Sequence, residues 1–238
     1  MRQYLERIYG RSNNEFKALL KNDLTEKNKR FVITANPEIL VMAEKDSVIS
    51  KMLIDENTCL VPDGIAVVKG CNMLNIPVTE RIAGVEIAQY LFAELNDQKK
   101  SLYLFGARPE VLQKLKEVLQ KQYPEVTLSG CCDGYVKDKN AVFDDIATKK
   151  PDVCMVALGV PVQEKLIYQN LDRFDSGIFI GVGGSFDVLS GTKKRAPEFF
   201  LKHNMEWLYR IMKEPKRLKR FYDNNVKFIL EIKKLSKK

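Results

Sequence analysis

Histidine is almost missing from this chain of 238 residues, with His203 the only one. The five cysteines, Cys59, Cys71, Cys131, Cys132 and Cys154, form no Cys-x-x-Cys pair. Together these shortages exclude an ordinary zinc site, which needs several thiolate or imidazole ligands at close spacing. They also leave a cysteine nucleophile without an evident base, so the cysteines read as reduced thiols. No Asp-x-Asp occurs, which removes a common carboxylate device for holding a metal against a diphosphate. No run of about 18 apolar residues could span a bilayer, and Met1 to Ser12 lack the apolar core of a signal peptide. A cytosolic chain is expected, with room for one large domain or one domain and an appendage.

Positive charge is present in excess, and it is concentrated. Residues 201–238 hold 12 Lys or Arg against 4 Asp or Glu, while the 27 basic and 27 acidic residues of 1–200 cancel. The net charge of +8 therefore sits in the last 38 residues. Such a segment seeks phosphate in nucleic acid, anionic lipid or a nucleotide ligand.

Along the chain, Ser12-Asn13-Asn14-Glu15 has the pattern of a capping box and opens a helix running to about Asn28. Strands are predicted at 31–34, 58–61, 101–105, 126–129, 152–157 and 177–181, and helices at 84–97, 108–122, 139–149 and 161–173. This alternation implies an α/β fold: a Rossmann-like, mainly parallel sheet with helices on both faces. After Gly181 no strand follows. Helices are predicted at 204–213 and 215–236, divided at Pro215. In the last one Leu218, Phe221, Tyr222, Ile229 and Ile232 recur at helical spacing beside many lysines, as on an amphipathic helix that lies on a membrane or packs on the body.

Several strand ends carry groups suited to chemistry. Asp63, in Pro62-Asp63-Gly64, would stand in the crevice at the sheet's C-terminal edge, either as a base for an acceptor hydroxyl or as an ordinary turn aspartate. Thr34 and Asn36 precede the helix begun by Pro37, where they could bind a sugar or phosphate or simply cap the helix. Gln163 and Glu164 follow Gly159-Val160-Pro161, the first offering an amide to a sugar, the second complementing a helix dipole. The turn Gly181-Val182-Gly183-Gly184-Ser185-Phe186 permits close approach of backbone to ligand at Gly183, yet Phe186 stands where a dinucleotide fingerprint needs its third glycine. Arg210, Arg217 and Arg220 could together hold a diphosphate.

Seven stretches, in order, resemble the WecG/TagA/CpsF family, glycosyltransferase family 26. They are Thr34-Ala35-Asn36-Pro37-Glu38, Val61-Pro62-Asp63-Gly64, Glu80-Arg81-Ile82-Ala83-Gly84, Gly159-Val160-Pro161-Val162-Gln163-Glu164, Gly181-Val182-Gly183-Gly184-Ser185-Phe186-Asp187, Lys194-Arg195-Ala196-Pro197, and Glu206-Trp207-Leu208-Tyr209-Arg210 through Glu214-Pro215-Lys216-Arg217. The resemblance implies an inverting, metal-independent glycosyltransferase without a cofactor. It would move a sugar from a UDP donor to an undecaprenyl-diphosphate-linked sugar at the inner face of a bacterial membrane, in cell-surface polymer biosynthesis. It implies Asp63 as catalytic base, Thr34, Asn36, Arg81 and Gln163 lining the crevice, and Arg210, Arg217 and Arg220 closing over the donor diphosphate. In the wall teichoic acid branch the donor is UDP-N-acetylmannosamine and the acceptor carries N-acetylglucosamine; UDP-N-acetylmannosaminuronic acid and UDP-glucose serve other members.

The expected organisation is thus a catalytic body at 1–200 and a basic helical appendage at 201–238 that completes the site and meets an anionic membrane surface. A homo-oligomer is left open. The competing readings are an NAD-dependent oxidoreductase, suggested by the glycine turn, and a nucleic-acid binder, suggested by the tail. Nucleic acid is not the expected partner.

Overall fold

Six short apolar segments form one sheet: β1 (Lys29–Ala35), β2 (Thr58–Pro62), β3 (Ser101–Gly106), β4 (Thr127–Cys132), β5 (Val153–Ala157) and β6 (Gly177–Gly181). Every neighbouring pair is parallel, and the strand order is β2-β1-β6-β5-β3-β4. All five residues of β5 and of β6 are buried, as expected of parallel strands covered on both faces. This computed structural model describes residues 1–203 and 205–237, with the side chains of Arg210, Arg217 and Arg220 left out. The mainly parallel α/β fold expected from the sequence is the fold observed.

Helices pack on both faces. One face is covered by Pro37–Ala43, Ser47–Ile54, Ile65–Met73, Lys139–Lys149 and Val162–Asn170, the other by Asn13–Glu26, Gly84–Asp97, Pro109–Gln122 and Ser185–Leu189. The capping box forms as predicted: Ser12 Oγ accepts from the Glu15 N–H at 3.2 Å, and the Ser12 N–H donates to Glu15 Oε2 at 3.0 Å. Before that helix the chain lies along the outer edge of β2. Ile8 bridges Leu60, and the Tyr9 N–H donates to the Leu60 carbonyl at 2.7 Å, so the exposed edge of the sheet is partly satisfied.

Two short helices, Ser47–Ile54 and Ile65–Met73, were not predicted from the sequence. Each has too few turns to display a clear period. The predicted helix at 161–173 is Val162–Asn170 followed by a 3₁₀ turn, Leu171–Arg173. The tail folds as helices Glu206–Lys213 and Arg217–Leu235 on either side of Pro215.

The single apolar face expected on the last helix is in fact divided. Ile232, together with Phe228, enters the core between the helices of the first face, whereas Leu218, Tyr222 and Ile229 are exposed. Phe221 stacks flat on Trp207 with ring centroids 4.6 Å apart. The apolar stripe is wide enough to face the body along one margin and solvent along the other. Gly70 makes the seat: a Cβ there would lie 2.9 Å from Phe228 Cζ. Replacing Phe228 with Ala should therefore lower unfolding free energy by about 3–5 kcal/mol in a denaturant titration.

Candidate active site

The sheet topology opens a crevice by itself. The helices that follow β1 and β5 lie on one face, and the helix that follows β6, which runs between them, lies on the other. Chain leaving the C-terminal ends of β1, β6 and β5 thus parts in opposite directions, and ligands bind at such switch points.

Thr34, near the end of β1, is almost wholly buried, and its methyl group presses on the start of helix Gly84–Asp97. A Cβ on Gly84 would come within 3.2 Å of Thr34 Cγ2 and 3.9 Å of Ser185 Oγ, so three segments converge here. Asn36 takes the capping role: its Oδ1 accepts from the Ile39 N–H at 3.1 Å. That bond leaves the amide nitrogen uncommitted among the described residues. Asp63 follows β2 and is half-buried, tied to the neighbouring strand end by its N–H donating to the Ala35 carbonyl at 2.9 Å. Gly64, with φ of 101°, then turns the chain into helix Ile65–Met73, a conformation that favours glycine. The Ile82 N–H donates to the Pro62 carbonyl at 2.8 Å, which brings the Arg81 loop beside the Asp63 turn.

Gln163 is 1% exposed and acts as a clamp. Its Oε1 accepts from the Gly159 N–H at 3.0 Å and the Gly183 N–H at 3.1 Å, joining the turns after β5 and β6. Its Nε2 donates to Glu164 Oε1 at 2.7 Å. The amide has only one workable orientation, because a flipped NH₂ would face two N–H donors. Gly181 is glycine for the same reason: a Cβ there would meet Gln163 Nε2 at 2.6 Å. The Gly183 N–H, open to a ligand on sequence grounds, is thus already used within the protein.

Glu164 is fully buried, and its Oε2 has no hydrogen-bond partner among the described residues. Burial pushes its carboxyl up to about 7, with the nearby Glu38 charge adding to the rise and the Gln163 hydrogen bond opposing it.

At the rim, Arg81 sits between two carboxylates, 3.4 Å from Glu206 Oε2 and 3.6 Å from Glu86 Oε1. Glu86 also takes a short ion pair from Arg195. Glu206 belongs to the first tail helix, so this network fastens the tail to the crevice loop. A second contact joins Lys193 to Glu214 at 2.9 Å. Arg210 lies on the first tail helix and Arg217 and Arg220 on the second, but their side chains fall outside the described residues. At the same sheet edge, a cleft of about 550 Å³ opens past the ends of β3 and β5, lined by Arg108, Tyr135, Leu158, Asp187, Lys193 and Glu214. Another, of about 450 Å³, lies between Met1–Tyr4 and the end of helix Pro37–Ala43, away from this edge.

Residues 7–238 match the Glycosyl transferase WecG/TagA/CpsF family. The chain belongs to this family. It is 39% identical over 202 residues to an N-acetylglucosaminyldiphosphoundecaprenol N-acetyl-beta-D-mannosaminyltransferase of Bacillus subtilis (strain 168), covering 85% of this chain and 78% of that one. It is 36% identical over 214 residues to the enzyme of the same description from Staphylococcus aureus (strain MW2), covering 89% and 82%. As a member of the WecG/TagA/CpsF family, the protein is a glycosyltransferase.

Within this glycosyltransferase the structure brings Thr34, Asn36, Asp63, Arg81, Gln163 and Gly183 to one edge of the sheet. Reading the sequence left Glu206 without a role and gave Glu164 only a place in the helix dipole. No local signal marks Glu164 as buried, since its cover comes from other segments of the fold. The pairing of Glu206 with Arg81 spans 125 residues and leaves no local trace.

The raised Glu164 pKa has a defined consequence for stability. Its ionisation costs nothing below about 4.5, costs progressively more as pH rises to about 7, and is fully felt above that. Between pH 5 and pH 8 the wild type should lose about 2.5 kcal/mol of stability that Glu164→Gln retains. Thermal melting of both proteins across that range checks this.

Proposed function

We propose that this family member transfers N-acetylmannosamine from UDP-N-acetylmannosamine to an N-acetylglucosamine held on undecaprenyl diphosphate, by inversion and without a metal. The observation that supports it most is the convergence of Asp63, Thr34 and Arg81 at the switch-point crevice of a chain aligned over most of its length with two transferases so described. The activity for which these relatives are named favours N-acetylmannosamine over N-acetylmannosaminuronic acid or glucose.

In this reading the Asp63 carboxylate takes the proton of the acceptor hydroxyl as its oxygen attacks the anomeric carbon. The bond from that carbon to the diphosphate breaks, and UDP leaves with the electron pair. Charge gathering on the departing diphosphate is met by Arg81 and by Arg210, Arg217 and Arg220, cations in place of a metal. The donor's nucleoside would occupy the cleft of about 550 Å³ beside β3 and β5. Thr34 and the Asn36 amide nitrogen face the sugar. Gln163 contributes by shaping the turns around it, since its carbonyl is already engaged.

The tail has two tasks here. Arg81 and Glu206 hold its first helix at the crevice rim, as a segment that completes the site should be held. Its second helix exposes Leu218, Tyr222, Ile229 and Leu230 among lysines, a surface suited to anionic lipid. No helix among the described residues is long and apolar enough to cross a membrane. Peripheral contact with the inner membrane face would bring the enzyme to its lipid-held acceptor.

UDP release from UDP-N-acetylmannosamine in the presence of a lipid-diphosphate N-acetylglucosamine analogue should proceed equally with and without EDTA. No turnover with this or any other UDP-sugar would refute the proposal, and loss of activity in EDTA would refute its metal-free part. Asp63→Asn should keep the fold and lower kcat by about 10²–10⁴. On anionic vesicles, Leu218→Asp/Tyr222→Asp should bind at least about tenfold more weakly than the wild type in co-sedimentation. Equal binding would move the membrane contact elsewhere.

A further inference from the structure

Nothing in the reaction uses Glu164, yet it is the most deeply buried carboxyl at the crevice, and a buried acid is costly to keep unless it does something. Its surroundings define what it can do. One oxygen accepts from Gln163 Nε2 at 2.7 Å, and the other has no partner among the described residues. Through Gln163 it reaches the N–H groups of Gly159 and Gly183, which shape the turns after β5 and β6 on either side of the switch point. The structure therefore contains an unbroken line from a buried carboxyl, through one amide, to two crevice turns.

We propose that Glu164 is a positioning residue whose carboxyl, holding its proton, orients the Gln163 amide and with it both crevice turns, and that binding of the donor diphosphate retains that proton. The proposal rests on the reading of the crevice as a UDP-sugar site and adds to it a residue and a proton linkage.

The charges around Glu164 bear this out. Glu38, in the first turn of helix Pro37–Ala43, is the charged group whose field reaches it, and a second negative charge beside Glu38 is unfavourable. Lys51 of helix Ser47–Ile54 is exposed, Lys139 donates to the Val136 carbonyl at 3.3 Å, and several other charged groups on the packed elements are engaged with one another. Lys165 pairs with Asp46 ahead of helix Ser47–Ile54, Tyr168 bonds Asp55, and on helix Lys139–Lys149 Asp144 pairs with Arg173 while Asp145 takes Tyr103 and Lys149. β1, β5 and β6 present apolar residues to this helix. No cation among these residues stands ready to neutralise an ionised Glu164. A diphosphate arriving at the same edge brings further negative charge, which favours the protonated carboxyl still more. Near the free-enzyme midpoint of about 7, donor binding must therefore draw in a proton.

Isothermal titration of UDP into the full chain at pH 7, in two buffers of different ionisation enthalpy, reads this directly. Protons released by UDP itself cancel in the difference between wild type and Glu164→Gln. The wild type should take up about half a proton more than Glu164→Gln. Its UDP Kd should also weaken about tenfold more than that of Glu164→Gln between pH 7 and pH 8.5. Glu38→Gln, with the like charge removed, should move the wild-type midpoint to lower pH and serves as the test if Glu164→Gln does not fold. Equal proton uptake and parallel pH profiles would overturn the proposal while leaving the UDP site intact. Failure of the wild type to bind UDP at all would overturn the site and this inference with it.

Discussion

Two backbone N–H groups from different turns, those of Gly159 and Gly183, share one acceptor, the side-chain carbonyl of Gln163. Much of the site depends on that arrangement. Parallel strands leave their C-terminal ends splayed wherever successive helices go to opposite faces, and loops there need something to fix them. A buried amide does so with three hydrogen bonds, and it demands a small residue opposite, which Gly181 supplies. Because buried polar groups are held at a single geometry or not at all, the clamp gives the crevice a defined floor rather than a mobile one.

The same economy governs the rim. Arg81, a candidate ligand for a diphosphate, lies between Glu86 and Glu206. The contacts are 3.4 and 3.6 Å, longer than the short pair between Arg195 and Glu86. An anion could therefore take over Arg81 while Glu86 keeps Arg195. Since Glu206 is carried by the tail, the charge that would bind substrate and the segment that would cover it are mechanically joined.

Much of this was legible in the chain. Strands at 177–181 and the helix at 84–97 were read at their observed bounds, because β-rich runs and the 3.6-residue period are local signals. The Ser12 and Asn36 caps were readable for the same reason. What escaped was set by packing between distant segments. The side of the last helix that enters the core depends on the space above Gly70, which no pattern within 217–235 encodes. The commitment of the Gly183 N–H to Gln163 likewise arises only once β5 and β6 pair. Pro62-Asp63-Gly64 was readable as a strand-end turn, and Asp63 stands directly after β2.

One crevice, floored by the Gln163 clamp and roofed by the tail, is proposed to receive the UDP-sugar. Hydrogen–deuterium exchange with and without UDP tests it over the whole chain at once. Slower exchange is expected at residues 80–84, 159–164, 181–185 and 206–220, with little change at residues 120–126, which lead into β4 at the opposite end of the strands. Protection confined to the tail, or absent from the turns after β5 and β6, would contradict it.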